Sequence, residues 1–129
     1  ASRGLMVLVD TSIWIRFLAG REPFASHLDE LLDRDDVLAH DLVEGELLIG
    51  DRGGRTSFLA SYRRMLRTPS LTHAELLMFV RARQLHGRGI GWIDAHLLAS
   101  ALVARAQLWT ADTTLATIAR ELRVDHHAR

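Results

Sequence analysis

Cysteine, lysine and asparagine are all missing from this 129-residue chain, and proline occurs only twice. The lack of cysteine excludes a disulfide-stapled scaffold. Long hydrophobic runs are missing as well: the stretch from Leu5 to Val9 is of strand length, far short of a membrane span. No signal peptide with a cleavage site precedes it, so the expected setting is soluble and cytoplasmic. What is present is 48% hydrophobic and 25% charged, which rules out intrinsic disorder and fits one globular domain of ordinary size. Met6 opens the run MVLVDTSIWI, so Ala1 to Leu5 read as an expression remnant or an extended start. Residues 6–129 form the expected domain.

Net charge is zero but unevenly spread. Residues 1–50 sum to −6, residues 51–90 to +6, and the remainder balance. Such polarity can pair an acidic site with a basic track for an anionic polymer, or describe one solvated Arg-rich helix pair. All sixteen basic residues are Arg, which GC-rich codon usage alone can produce.

Short apolar runs alternate with helical periodicity. Strands are expected at Val7–Val9, Val37–Ala39 and Leu108–Thr110, with an edge strand at Arg123–Asp125. Helices are expected near Ser12–Ala19, Phe24–Asp33, Asp41–Ile49, Thr56–Arg67, Thr72–His86, Ile93–Ala104 and Thr113–Leu122. The alternation predicts an α/β fold, a three-layer α/β/α sandwich around a short central parallel sheet.

Four carboxylates lie in apolar company, where charge needs a partner. Asp10 ends the first strand, either as the cap of the next helix or as part of a site at the sheet's carboxyl edge. Glu46 falls on the apolar face of its helix, facing a metal or an Arg, whereas Glu44 falls toward solvent. Asp94 shares a stripe with Leu97, Leu98, Ala101 and Leu102, although it also suits the amino end of its helix. Asp112 opens the last helix, where capping is the alternative. Clustered carboxylates repel unless a cation or protons neutralise them, and oxygen-only donors without Cys or paired His point to Mg²⁺ or Mn²⁺.

The segments VLVDTSIWI, VEGELLIG, GIGWIDAHLLASAL and LWTADTTL resemble, in order, the four signature blocks of the PIN-domain ribonuclease family, and within it the VapC toxins. The likeness spans Met6 to about Val124. It implies a PIN-like fold and a divalent-metal-dependent endoribonuclease in which Asp10, Glu46, Asp94 and Asp112 are the catalytic and metal-binding residues. Thr11, Ser12 and Thr110 match polar positions lining such sites. Relatives often carry a further acid or amide where this chain has Thr113 and Thr114, which bears on a second metal ion. The resemblance also implies structured RNA as substrate (transfer or ribosomal RNA), a VapB-like antitoxin and a homodimer.

The early helices, with Trp14, Phe17, Phe24, Leu28, Leu31 and Leu32, offer an antitoxin surface beyond what one small face buries, the alternative being that these residues, Trp14, Phe17 and Phe24 first, pack in the core. Arg52, Arg55, Arg63, Arg64, Arg67, Arg81, Arg83 and Arg88 are the expected phosphate contacts. The competing function is a catalytically inactive PIN-like module, binding RNA or protein, whose carboxylates form salt bridges with Arg. An aspartic protease needs two Asp-Thr-Gly-like motifs in a β-rich frame, and a haloacid-dehalogenase-type phosphatase needs an acid where Ser12 stands. Neither fits. The glycines at 87, 89 and 91 lack the preceding strand of a dinucleotide loop. None of the seven histidines has the surroundings of a general base.

Overall fold

A computed structural model describes residues 5–127. Of the segment read as a remnant or extended start, only Leu5 lies among them. The elements run β1 (Val7–Val9), α1 (Thr11–Leu18), α2 (Phe24–Asp33), β2 (Val37–Leu38), α3 (Asp41–Ile49), α4 (Thr56–Arg63), α5 (His73–Ala82), α6 (Trp92–Ala104), β3 (Gln107–Trp109) and α7 (Thr113–Glu121).

The three strands pair in parallel in the order β2-β1-β3. Val7 and Leu8 sit opposite Val37 and Leu38 on one side, and Val7 to Val9 opposite Gln107 to Trp109 on the other. Parallel neighbours cannot be joined by hairpins, so helices carry every crossover. Successive strand residues point to opposite faces, yet Val7, Leu8, Val9, Leu108 and Trp109 are all buried. Both faces are therefore covered, and the predicted α/β/α sandwich is what forms.

Two expected elements differ at the sheet edges. The helix expected to reach Arg67 stops at Arg63 because the chain leaves to pair with β2's continuation. Ala39 N–H donates to Leu66 O (2.8 Å) and Thr68 N–H to Ala39 O (3.0 Å). The expected edge strand at Arg123–Asp125 is reduced to one bridge, Leu108 to Asp125. The helix expected to reach His86 ends at Ala82, and Gln84 adopts a left-handed φ of 53° just beyond it.

In the early helices the core-packing alternative holds for the largest side chains. Trp14, Leu28 and Leu31 belong to the buried core, and Phe17, Phe24 and Leu32 pack against it. The indole of Trp14 meets the rings of Phe17, Phe58 and Tyr62 at 5.4–5.7 Å. These side chains are large because α1 must fill the space between β1 and α4, and no apolar surplus remains on that face. His40, at the amino end of α3, is fully buried. Its Nδ1 accepts from Leu42 N–H, which makes Nε2 the protonated nitrogen facing Ser100 Oγ at 3.0 Å. Burial lowers its pKa, so it is a neutral structural cap of α3.

Candidate active site

The carboxyl ends of β1 and β3 place Asp10 and Asp112 on adjacent strand exits. α6 supplies Asp94 from its first turn and α3 supplies Glu46. Asp10 occupies the N-cap position of α1, but its side chain makes no capping bond. Ser12 Oγ and Thr110 Oγ1 donate instead to Asp10 Oδ2, at 2.8 and 2.7 Å. Ser12 Oγ in turn accepts from Ala111 N–H at 3.0 Å, and Thr110 Oγ1 accepts from Asp112 N–H at 3.1 Å. Two hydroxyls and two backbone amides thus fix a buried carboxylate in one orientation.

The other acids divide between local and shared duties. Asp112 caps α7, accepting from Leu115 N–H at 2.9 Å through Oδ1 alone. Asp94 Oδ2 accepts from Gly91 N–H at 3.2 Å, so the capping expectation holds for both residues. Glu46 accepts from Thr11 Oγ1 at 2.6 Å rather than pairing with an Arg. Thr11 therefore ties α3 to the residue beside Asp10.

Burial raises the pKa of the half-buried Asp94, and the charges of Asp10, Asp112 and Glu46 push it further, against the pull of the Gly91 N–H. Asp94 therefore lies within electrostatic reach of the other three carboxylates. Among the described residues, none of the four forms a salt bridge. That removes the Arg-paired arrangement expected of the non-enzymatic alternative. Nor do any three acidic or histidine side chains already converge as a closed metal cage among the described residues. Like charges hold the carboxylates apart, and a divalent cation suits this set because it supplies the missing neutralisation to hard oxygen donors.

Glu44 corrects one expectation in part. It does turn away from the site, but not to open solvent: it meets Arg63 at 3.1 Å and Arg67 at 2.9 Å. Arg67 also reaches Asp41 at 2.9 Å, and Arg88 grips Glu121 with both nitrogens. The acidic first segment and basic middle segment thus partly cancel in space. Arg63, Arg67 and Arg88 are committed to acids, which leaves a much smaller basic track than the sequence advertises. Arg55, one of the eight arginines expected to contact phosphate, lies beside the site. It lines a cleft of ≈190 Å³ between α1 and α3, together with Thr11, Ile15, Leu18, Leu47 and Glu46. Nothing in the spacing of Arg55 signalled this, because α4 swings back onto α3 only in the folded chain. Thr113 and Thr114, at the start of α7, are exposed and add no carboxylate.

A parallel sheet with an acidic edge at its strand exits, flanked by helices carrying further acids, defines a nuclease-like class of fold. Residues 7–121 match the PIN domain family, and the chain belongs to it. Within that family it is of the VapC ribonuclease type. It is 43% identical over 111 residues to Ribonuclease VapC32 of Mycobacterium tuberculosis, in two strains, covering 85% of this chain and 87% of the relative. The crystal structure of PAE2754 from Pyrobaculum aerophilum superposes with a TM-score of 0.55 over 92% of this chain and 90% of the other. At 16% identity that likeness speaks for the fold. No helix among the described residues is long and apolar enough to cross a membrane.

Proposed function

We propose that this ribonuclease is the toxin of a VapBC-type pair, cutting phosphodiester bonds in structured RNA such as transfer or ribosomal RNA. Asp10, Glu46, Asp94 and Asp112 are the residues that would hold Mg²⁺ or Mn²⁺. The observation that carries this is Asp94 set against the charges of Asp10, Asp112 and Glu46, with no salt bridge on any of the four among the described residues. When bound, the ion supplies Lewis-acid polarisation of the phosphodiester and neutralises charge at the leaving oxygen. The chain's own contribution is positioning. Ser12 and Thr110 hold Asp10 at a fixed angle, Thr11 holds Glu46, and the Gly91 amide steadies Asp94. The expected target is RNA of the host cytoplasm. A VapB-like antitoxin restrains it, seated at the cleft beside Glu46, where Ile15 remains exposed. Self-association into a homodimer uses another apolar face.

The test is cleavage of a total RNA pool with mapped ends, with Mg²⁺, with Mn²⁺ and with chelator. Activity should require the ion and leave discrete ends. In the same assay Glu46→Gln should weaken cleavage and Mn²⁺ affinity by about 10- to 100-fold, as loss of a metal-site group does. Glu44→Gln should cleave normally and lose about 1–3 kcal/mol of stability, because its pair with Arg67 is largely buried although Arg63 is exposed. Equal effects of the two substitutions, or chelator-resistant cleavage, would sink this assignment. An inactive protein that still binds RNA would favour the binding module instead.

Arg55 gives a separate expectation. If it contacts a phosphate, Arg55→Ala should lower the slope of log affinity against log salt by about one unit. Arg63→Ala should leave that slope nearly unchanged, since its partner is Glu44. Fluorescence anisotropy with an uncleavable RNA over a salt series reads both slopes.

A further inference from the structure

Away from the carboxylates, residues remote in sequence meet at the amino ends of the strands. His27 lies in α2, Gln107 opens β3, and His126 follows the bridge at Asp125. His27 Nε2 and His126 Nε2 are 2.8 Å apart. Their ring planes are inclined by only 26° with centroids 5.1 Å apart, so the two nitrogens aim at one another. Trp109 walls the pair on one side, its ring 4.7 Å from His27 and 5.5 Å from His126. A cavity of ≈520 Å³ opens beside both rings, and Glu30 and Gln107 also line it.

The hydrogen bonds settle the resting tautomers. His126 Nδ1 lies 2.7 Å from Gln107 Oε1. An amide oxygen only accepts, so Nδ1 carries the proton and His126 Nε2 presents a lone pair, leaving His27 Nε2 as the donor. A ring whose remote N–H is held by a neighbouring acceptor is the arrangement that orients a metal-binding histidine. Glu30 stands three residues after His27, one turn along the same face of α2. Among the described residues its carboxylate meets Arg34 at 3.8 Å in an exposed pair, a contact of little strength.

We propose that His27, His126 and Glu30 form a second metal site, for a zinc-class transition ion, distinct from the oxygen-only carboxylate site at the opposite strand ends. Two imidazoles and a carboxylate suit Zn²⁺, with water in the fourth position. A tetrahedral ion about 2.0–2.1 Å from each nitrogen keeps them about 3.4 Å apart. The rings therefore part by roughly half an ångström and turn toward the ion, and the His27 proton moves from Nε2 to Nδ1, so that both imidazoles bind neutral. Two donors are already paired; since no three converge among the described residues, Glu30 turns inward to complete the set. The bound ion ties α2 to the segment that follows α7, across the sheet edge held otherwise by the single Leu108–Asp125 bridge.

The test titrates Zn²⁺ alone into the full chain, prepared without a histidine tag, by calorimetry, with Co²⁺ absorption as a spectroscopic reporter. One ion should bind per chain at this site and raise the melting temperature. His27→Gln and His126→Gln should each weaken binding by more than about 100-fold and remove the Co²⁺ visible bands, and Gln107→Leu should weaken it about 10- to 100-fold. Asp94→Asn should leave Zn²⁺ affinity unchanged, which separates this site from the nuclease reading. No saturable binding, binding that survives His27→Gln, or binding lost in Asp94→Asn overturns the proposal. Should His27→Gln fail to fold, Glu30→Gln and Gln107→Leu probe the same site from its rim, and unchanged affinity in both overturns it equally.

Discussion

Asp94→Asn should abolish metal-dependent RNA cleavage and, in the same protein, flatten the pH dependence of stability. The loss of activity should exceed about 100-fold, more than is typical when only a residue orienting a metal ligand is removed. The stability effect follows from the direction of the Asp94 shift. Its carboxyl is harder to ionise in the folded chain, through burial first and then through Asp10, Asp112 and Glu46. A folded pKa raised in this way stabilises the fold fully below the unfolded value, near 4. That contribution is lost as pH rises through the folded value. The metal-free protein should therefore weaken from acid toward neutral pH, and a bound cation should restore the loss. Asparagine carries no charge at any of these values. Its urea midpoint in chelator should show a smaller decline over that window, ending above the parent at neutral pH. Parallel curves for the two proteins would mean that Asp94 does not sit among interacting charges.

Trp14→Ala should cost about 3–5 kcal/mol, the usual range for deleting a buried large aromatic. Typical domains hold only about 5–15 kcal/mol in total, so the variant should be largely unfolded at physiological temperature. Trp14 is 1% exposed and wedged against three aromatic rings. Its removal leaves a cavity that β1, α1 and α4 cannot all close. Trp14→Phe should be much milder, because the indole Nε1–H finds no acceptor among the described residues and nothing polar is lost with it. Ile15, its neighbour in α1, is 57% exposed. Ile15→Ala should change stability by about 0.5 kcal/mol or less. Chemical denaturation of the three variants separates a core residue from a docking residue. A stable Trp14→Ala protein with the parent's midpoint would return Trp14 to the surface.

Trp14 also shows where reading the chain alone stops. The residue type and its spacing with Phe17 identify an apolar face, but periodicity does not say whether the covering surface comes from the same chain or another. α4 supplies that cover through Phe58 and Tyr62, more than forty residues away. The charge pattern failed for a related reason. A run of Arg in the middle of the sequence reads as a basic track until Asp41 and Glu44 fold against Arg63 and Arg67. Long-range cancellation leaves no local mark.

By contrast, the fold class and the placement of the four acids were legible without coordinates. Short, wholly apolar strands can only be parallel and covered on both faces, because every side chain on both sides needs burial. Helical phasing then separates Glu46 from Glu44 by about 200°, which is geometry that any helix must obey. Tertiary structure alone decided what each polar group meets: that Asp10 is held by Ser12 and Thr110 rather than capping its helix, and that Thr11 holds Glu46. It also joined His27 to His126 across 99 residues of chain. Hydrogen bonds form within about 3 Å, whereas sequence patterns constrain only which face a side chain takes. The partner on that face is chosen when the helices and strands dock.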